Sequence, residues 1–371
     1  MKGHESFKAD VGMKVMILNA HLSKVMGGSE VACHINTKAF VDKGYDAVYG
    51  AVNGYDKSVD WPYPIVEVNK QDQKDLVSFL LKHNVDVLYW NYNKKIIWPN
   101  FKNIRKAGIP IFVSVNHVND LQYYPKKKPY KSPLVVIKHN LKKISKAFHF
   151  FQARKMINGY IAINQEHMDL IPSRFNKTFI PFGVFDEFVE PEPAPRPYVV
   201  WMASIKKVKN PELFLELAKA LEHLDLDFYL IGKAQEEYYL NWGEEAAQQK
   251  NLKFLGGQEM KMANGFIKNS KLFISTCDPE GFPMVYLQSW VFGRPVISMN
   301  YDPSGVIERE RLGYCSHGNF KKFVTQVESL VKDDDTYAEI STSCRRYIDK
   351  HHNVSRNVDK LIAYFNVLKE Q

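Results

Sequence analysis

Residues Ser275–Ser298 read STCDPEGFPMVYLQSWVFGRPVIS. The run LFIST leading into them is short, apolar and β-leaning. DPEGFP interrupts it with an acid pair, a glycine and a proline. MVYLQSWVF then has helical spacing, GRP stops that helix, and VIS begins another apolar strand. Strand, loop, helix, strand is the half-turn of a doubly wound α/β sheet. Such a loop lies at the carboxyl end of its strand, where these sheets bind ligands, and the helix directs its N-terminus there. The amides of Gly281, Phe282, Met284 and Val285 lack intrahelical partners in that setting and suit a phosphate, whereas Pro283 has no N–H to lose. Glu280 stands at the mouth of the helix. Gln288 follows eight residues later, about two turns along, so both can face one crevice. A carboxylate at the mouth accepts hydrogen bonds from the hydroxyls of a sugar-like ligand. It equally suits capping the helix dipole, with Gln288 then a solvated side chain.

The stretch resembles the nucleotide-sugar motif of retaining glycosyltransferases of family 4, which have the GT-B fold of two Rossmann-like domains facing across a cleft. Their pattern is Glu-Gly-Phe-(Gly/Pro), a second Glu eight residues after the first, then Gly-x-Pro-Val-Ile. Glu280, Gly281, Phe282, Pro283, Gly293, Pro295, Val296 and Ile297 keep it, and Gln288 replaces the second acid. The resemblance implies that this position binds the nucleotide ribose. An amide still bonds hydroxyls, without charge assistance, so weaker donor binding is expected.

At 371 residues the chain is long enough for two domains, each with a core. Hydrophobic content of 45% and charged content of 25% are those of a soluble globular protein. Cys33, Cys277, Cys315 and Cys344 follow no metal or disulfide spacing, as expected of reduced thiols in the cytoplasm. No apolar run reaches the length of a membrane span, about 18 residues. Residues 1–12 read as an extension ahead of MKVMILNA. The net charge of +9 points to anionic partners. Ten lysines or arginines and no acids fall between Lys126 and Lys155, among Phe148, Phe150 and Phe151, with Tyr123, Tyr124 and Tyr130 beside or within that stretch. LVVIKHNLKKISKAF within it reads as a basic amphipathic helix. Residues 123–158 therefore suit an anionic membrane surface or a lipid-linked acceptor, and equally a packed helix with a solvated basic face. Nucleic acid is the weakest option, because no reading module accompanies the charge.

From the N-terminus, KVMILNA is a buried strand, and Gly27-Gly28 turns it into a helix over about Glu30–Lys43 with Ser29 as a candidate N-cap. A Gly-Gly turn lets backbone approach a ligand and is also what an ordinary loop uses. It is similar to the family's Gly-Gly-x-Glu loop, which implies a place over the donor diphosphate and acceptor. YDAVYGAV, VDVLYWN and IPIFVSV alternate with helices near Gln73–His83 and Phe101–Ala107. His117 follows the last of these strands. The resemblance implies that it reaches the donor sugar or the acceptor hydroxyl. GYIAIN, KTFIP and a Pro181-x-Gly183-Val184 similar to the family's interdomain motif end a first domain at residue 184. The acidic, proline-rich 185–197 reads as a linker.

The second domain, 198–371, opens with YVVWM, a basic loop and a helix with Asn210 as N-cap and Pro211 at its first position. Leu213, Phe214, Leu217, Ala218 and Leu221 form its core face. The family carries Arg-x4-Lys-Gly in this loop, two cations for the leaving diphosphate. Lys209 takes the lysine position and Ser204 the arginine position, with Lys206 or Lys207 as substitutes lacking the bidentate fork. Gly232 ends the next strand, similar to the family's loop near the base and phosphates. Ser304 and Gly305 offer amides near the same crevice. The last helix is expected to pack back on the first domain.

The resemblance implies a retaining, metal-independent glycosyltransferase with no cofactor. Its donor substrate would be a UDP- or GDP-linked sugar and its acceptor a glycan or lipid-linked hydroxyl, in surface polysaccharide or glycolipid synthesis. It would be cytoplasmic or peripheral at the inner face of the membrane. His117, Lys209 and Glu280 would be catalytic. The alternatives are a nucleotide-sugar-binding protein that has lost catalysis, another GT-B enzyme, and a basic nucleic-acid or membrane binder.

Overall fold

The computed structural model describes residues 12–25, 27–91, 100–117, 120–121, 147–278 and 282–369. Glu280, Gly281 and nearly all of the expected basic amphipathic helix therefore lie outside the described residues, as does the extension up to residue 11. The chain forms two compact units, Met1–Gly183 with Val354–Gln371, and Val184–Asn353.

Unit 1 holds β1 (Val15–Ala20), β2 (Ala47–Val52), β3 (Ile65–Val68), β4 (Val87–Trp90), β5 (Ile111–Val115), β6 (Gly159–Ala162) and β7 (Lys177–Phe179). They form one parallel sheet in the order β3-β2-β1-β4-β5-β6-β7. β2, β4 and β5 are buried along their whole length. Both faces of the sheet are covered, which is why these strands read as continuous apolar runs rather than alternating ones. The helix Val354–Leu368 belongs to this unit. Its Phe365 is fully buried, 4.4 Å from Phe112 and 5.6 Å from Tyr89 between ring centroids. Asn357 Nδ2 donates to Pro181 O at 2.8 Å, and Lys43 Nζ bonds Ser355 Oγ at 3.0 Å. A side chain at Gly159 would meet Tyr364 of that helix.

Unit 2 holds β8 (Tyr198–Met202), β9 (Asp227–Ile231), β10 (Leu252–Phe254), β11 (Phe273–Ser275), β12 (Val296–Ser298) and β13 (Gly313–Cys315). Their order is β10-β9-β8-β11-β12-β13, again parallel throughout. Trp201, Phe214, Phe228, Phe273, Tyr286, Trp290 and Phe323 are among its largest fully buried side chains, each of the phenylalanines worth about 1.5–3 kcal/mol on burial. The helix Pro211–Ala220 buries Phe214, Leu217 and Ala218, the core face its spacing marks.

The last helix is counted with unit 1, in line with the expectation that it packs back on the first domain, so unit 2 ends at Asn353; 185–197 belongs to unit 2 rather than standing free. That stretch lies along the helix Met260–Asn269. Val189 N donates to Lys261 O at 2.9 Å, Asn264 Nδ2 donates to Glu187 O at 2.8 Å, and Lys268 Nζ pairs with Glu190 at 2.9 Å. A Cβ at Gly265 would strike Val189 O, so the glycine is what lets this strap approach.

Candidate functional site

In unit 2 the sheet grows in one direction from β8 through β9 to β10, and in the other from β11 through β12 to β13. The connections after β8 and β11 therefore leave toward opposite sides. The crevice between them, at the carboxyl ends of the strands, is where such sheets take ligands. Residues 203–210 form one wall, and 276–278 with 282–283 belong to the other.

The β8 loop runs through Ser204, half-buried, and Lys206 into a single 3-10 turn, Lys207–Lys209. Lys206 Nζ reaches Gln235 Oε1 at 3.3 Å, and Lys207 N donates to Glu236 Oε2 at 2.9 Å, which ties this loop to the one after β9. Gly232 opens that β9 loop. Its N–H donates to Gly256 O at 2.9 Å, and a Cβ there would collide with Ala203 O. The glycine is thus explained by backbone packing beneath the site. Lys209 is half-buried, and its carbonyl accepts from Thr276 Oγ1 at 2.7 Å. Asn210 occupies the N-cap position of the next helix without capping it: at φ 45° its side chain turns away from the helix to Thr276 and Asp278.

On the other wall the helix Met284–Val291 starts from Pro283, its N-cap, with φ −73° and ψ 116°. The first-turn amides of Met284 and Val285 thus open toward the loop. Phe282 packs on His352 at 5.9 Å and Trp290 at 6.4 Å between ring centroids. Beneath them Tyr286 Oη donates to Ser275 Oγ at 2.9 Å and lies 3.2 Å from Ser298 Oγ, joining β11 to β12. Burial holds that phenol well above its usual pKa.

Gln288 is only 7% exposed, so it is not a solvated side chain. Its Nε2 donates to Asn264 Oδ1 at 3.0 Å. Ser304 and Gly305 are both left-handed, at φ 55° and 65°. The Gly305 N–H is committed to Asp302 O at 3.3 Å, so it is not an open donor. Asp302 itself caps the following turn through Ile307 N at 2.8 Å, and its burial raises its pKa.

The remaining expected residues lie in unit 1. Its switch point falls between β1 and β4. Gly27 is the N-cap of the helix Gly28–Asp42, so the helix begins two residues earlier than expected and Ser29 lies in its first turn. A Cβ at Gly27 would run into Glu30 Oε2, so a carboxylate folds over this helix start and disfavours an anion there. Exposed His117 follows β5, with its N–H on Asp120 Oδ2 at 2.9 Å.

Sequence reasoning passed over His21, although it follows β1 just as His117 follows β5. It has no solvent exposure and sits edge-on to Trp61 at 4.4 Å and Tyr49 at 4.9 Å. Ser23 N donates to its Nδ1 at 3.3 Å, which puts the proton on Nε2. Nε2 then donates to Tyr63 Oη at 3.3 Å, and Tyr63 in turn donates to His34 Nδ1 at 2.7 Å. Burial pushes the His21 pKa down to about 4. The ring is a neutral strut that shapes the first loop. The asparagines at 210 and 300, together with Thr276 and Asp278, were also missed, because their value lies in meeting across three loops.

Residues 185–347 match the family model described as Glycosyl transferases group 1. An uncharacterized glycosyltransferase of Haemophilus influenzae is 21% identical over 130 residues, which span 34% of this chain and 36% of that relative. Three solved structures share the fold across nearly the whole chain. A glycosyltransferase from Rickettsia africae has a TM-score of 0.73 at 14% identity, covering 97% of this chain and 100% of its own. Sucrose-phosphate synthase from Thermosynechococcus elongatus has a TM-score of 0.71 at 10% identity, covering 96% and 99%. The pneumococcal O-GlcNAc transferase in complex with UDP and GlcNAc has a TM-score of 0.71 at 10% identity, covering 97% and 99%. The two parallel-sheet units are those of the GT-B fold.

Proposed function

We propose that this protein, whose residues 185–347 match the family model described as Glycosyl transferases group 1, transfers a sugar from a nucleotide diphosphate sugar to an acceptor hydroxyl. Transfer retains the anomeric configuration and requires no divalent metal. One observation carries the reading: at the switch point of unit 2, the loop that holds Lys206 and Lys209 and the loop that starts the helix Met284–Val291 leave the sheet toward opposite sides and flank one crevice. Cations on one wall and helix amides on the other are what a leaving diphosphate needs.

The bond from the anomeric carbon to the diphosphate oxygen breaks, and Lys209 with the amides of Met284 and Val285 meets the charge left behind. The acceptor oxygen bonds to the anomeric carbon on the same face, and its proton passes to the leaving phosphate oxygen. Glu280 bonds the donor sugar hydroxyls, and Gln288 offers its carbonyl oxygen to the ribose. On unit 1, the Gly27–Gly28 turn and His117 serve the acceptor. A surface polysaccharide or glycolipid acceptor is supported by the basic run 126–155 and by Phe148 and Phe151, exposed at 59% and 56%. No helix among the described residues is long and apolar enough to cross a membrane.

Thermal unfolding with UDP, GDP, ADP, CDP and their sugar conjugates tests this on wild type and Lys209→Ala. A ligand bound only by the folded state raises the midpoint. UDP is the first to try, since the pneumococcal relative binds it. One nucleotide that stabilises wild type and not the variant supports the reading, and no shift from any of them rejects it. Ser204 and Gln288, in place of a cation and an acid, favour a second reading, a binder without catalysis. Binding with no transfer above a Glu280→Ala control would select it.

A further inference from the structure

Three loops of unit 2 are joined by side chains that phosphate binding itself does not use. Asn210 Nδ2 donates to Thr276 O at 3.2 Å and to Asp278 Oδ1 at 2.8 Å. From the loop after β12, Asn300 Nδ2 donates to the same carbonyl at 3.1 Å and reaches the same carboxylate oxygen at 3.5 Å. Thr276 Oγ1 accepts from buried Trp201 Nε1 at 2.9 Å and donates to Lys209 O at 2.7 Å. Asp278 N donates to Val208 O at 3.0 Å. The peptide that carries Lys209 is thereby bonded to the β11 loop two residues before Glu280.

Asn210 holds this place at some conformational cost. At φ 45° and ψ 54° it is left-handed, where glycine is least strained. What the side chain gains there is its pair of hydrogen bonds to Thr276 O and Asp278 Oδ1, which glycine would give up. We propose that Asn210 and Asn300 are positioning residues, an amide clamp that locks the loop of Lys209 to the loop of Glu280 and so sets the cation-to-amide spacing that a nucleoside diphosphate requires. A diphosphate held from two walls binds weakly when either wall must be ordered at the moment of binding. This inference rests on the donor reading above.

The test uses the full chain, titrated calorimetrically with uridine diphosphate and guanosine diphosphate, with thermal unfolding measured alongside without ligand. Asn210→Gly relieves the left-handed strain but gives up two hydrogen bonds, so it is expected to unfold close to the wild-type temperature, yet to bind roughly tenfold more weakly. Asn300→Ala weakens binding in the same direction. Asp278→Asn keeps the accepting oxygen and binds like wild type, whereas Asp278→Ala does not. In Lys209→Ala, adding Asn210→Gly costs much less than its own tenfold, because the clamp acts through that lysine. Wild-type affinity in Asn210→Gly, or losses that multiply with Lys209→Ala, would overturn the clamp and leave the donor reading standing. A wild type that binds neither diphosphate removes the donor reading and the clamp with it.

Discussion

After β1 the chain turns through His21, closed off from solvent and ringed by Tyr49, Tyr55, Trp61 and Tyr63. After β8 it turns through Lys206, Lys207 and Lys209, none of them buried, with the amide of Asn210 reaching across to the next loop. Both loops leave the carboxyl edge of a parallel sheet beside its switch point. Shared topology fixes where a ligand meets each sheet and leaves the chemistry to the loop. In unit 1 the loop is held from below by a neutral, desolvated imidazole, and Glu30 covers the helix start. In unit 2 a lysine-bearing loop and the start of a helix flank the switch point. The first arrangement suits an uncharged hydroxyl and the second a diphosphate.

The comparison breaks most readily at Lys209. If unit 2 alone handles the leaving charge, Lys209→Ala should lower kcat/KM for sugar transfer by two to three orders of magnitude, about 3–4 kcal/mol of transition-state stabilisation. Unfolding should be little changed. Steady-state transfer from the nucleotide sugar selected by the binding panel measures it. A loss under fivefold would move the charge-handling role elsewhere.

His21 sharpens the other side. Its pKa is about 4 in the folded chain against an ordinary 6.5. Between those values the unfolded chain takes up a proton that the folded one refuses, so stability rises with pH. The contribution is fully present above pH 6.5 and is lost as pH falls through 4, about 3 kcal/mol in all. Burial lowers the pKa of His167 and His83 in the same unit as well. Hydrogen exchange of the β1 amides in the full chain, between pH 7.5 and 4.5, should show protection falling with pH. His21→Asn can keep the Ser23 contact without titrating and should flatten that slope. Parallel loss in both proteins would show that the acid sensitivity lies elsewhere.

The doubly wound plan was legible because buried parallel strands read as apolar runs, and β1, β4, β5 and β8 all do. β3 was not, since Ile65–Val68 is a partly exposed edge strand with an acid in its middle. Gly232 was marked for the right loop, but for a ligand rather than for the Ala203 carbonyl that excludes a side chain there. Lys209 and the helix start could be assigned to the loops after β8 and β11 because one loop contains each. Thr276, Asp278 and Asn300 could not, since the bonds between these loops join residues 22 to 75 positions apart. Tyr63 was hidden likewise, 42 residues from the histidine it bonds.

The smallest effect is expected at Gln288, where restoring the family's acid should not restore anything. The amide donates to Asn264 Oδ1, and Asn264 Nδ2 donates in turn to Glu187 O on the strap. An ionised Gln288→Glu has no proton to give and sets two oxygens against each other. Turning the Asn264 amide repairs that contact and strips the strap of its donor. Either way one buried hydrogen bond is lost, about 1–3 kcal/mol near pH 8. A protonated glutamate can donate just as the amide does, so the cost should shrink as pH falls toward the ordinary glutamate value of about 4.3. Urea unfolding of wild type and Gln288→Glu at pH 8 and pH 5 reads this directly. A gap that is equal at both values would mean the side chain does not serve as a donor. A variant that is stable at pH 8 and binds nucleotide more tightly would mean that Gln288 is a weakened ribose contact, and that the strap network formed around it without depending on it.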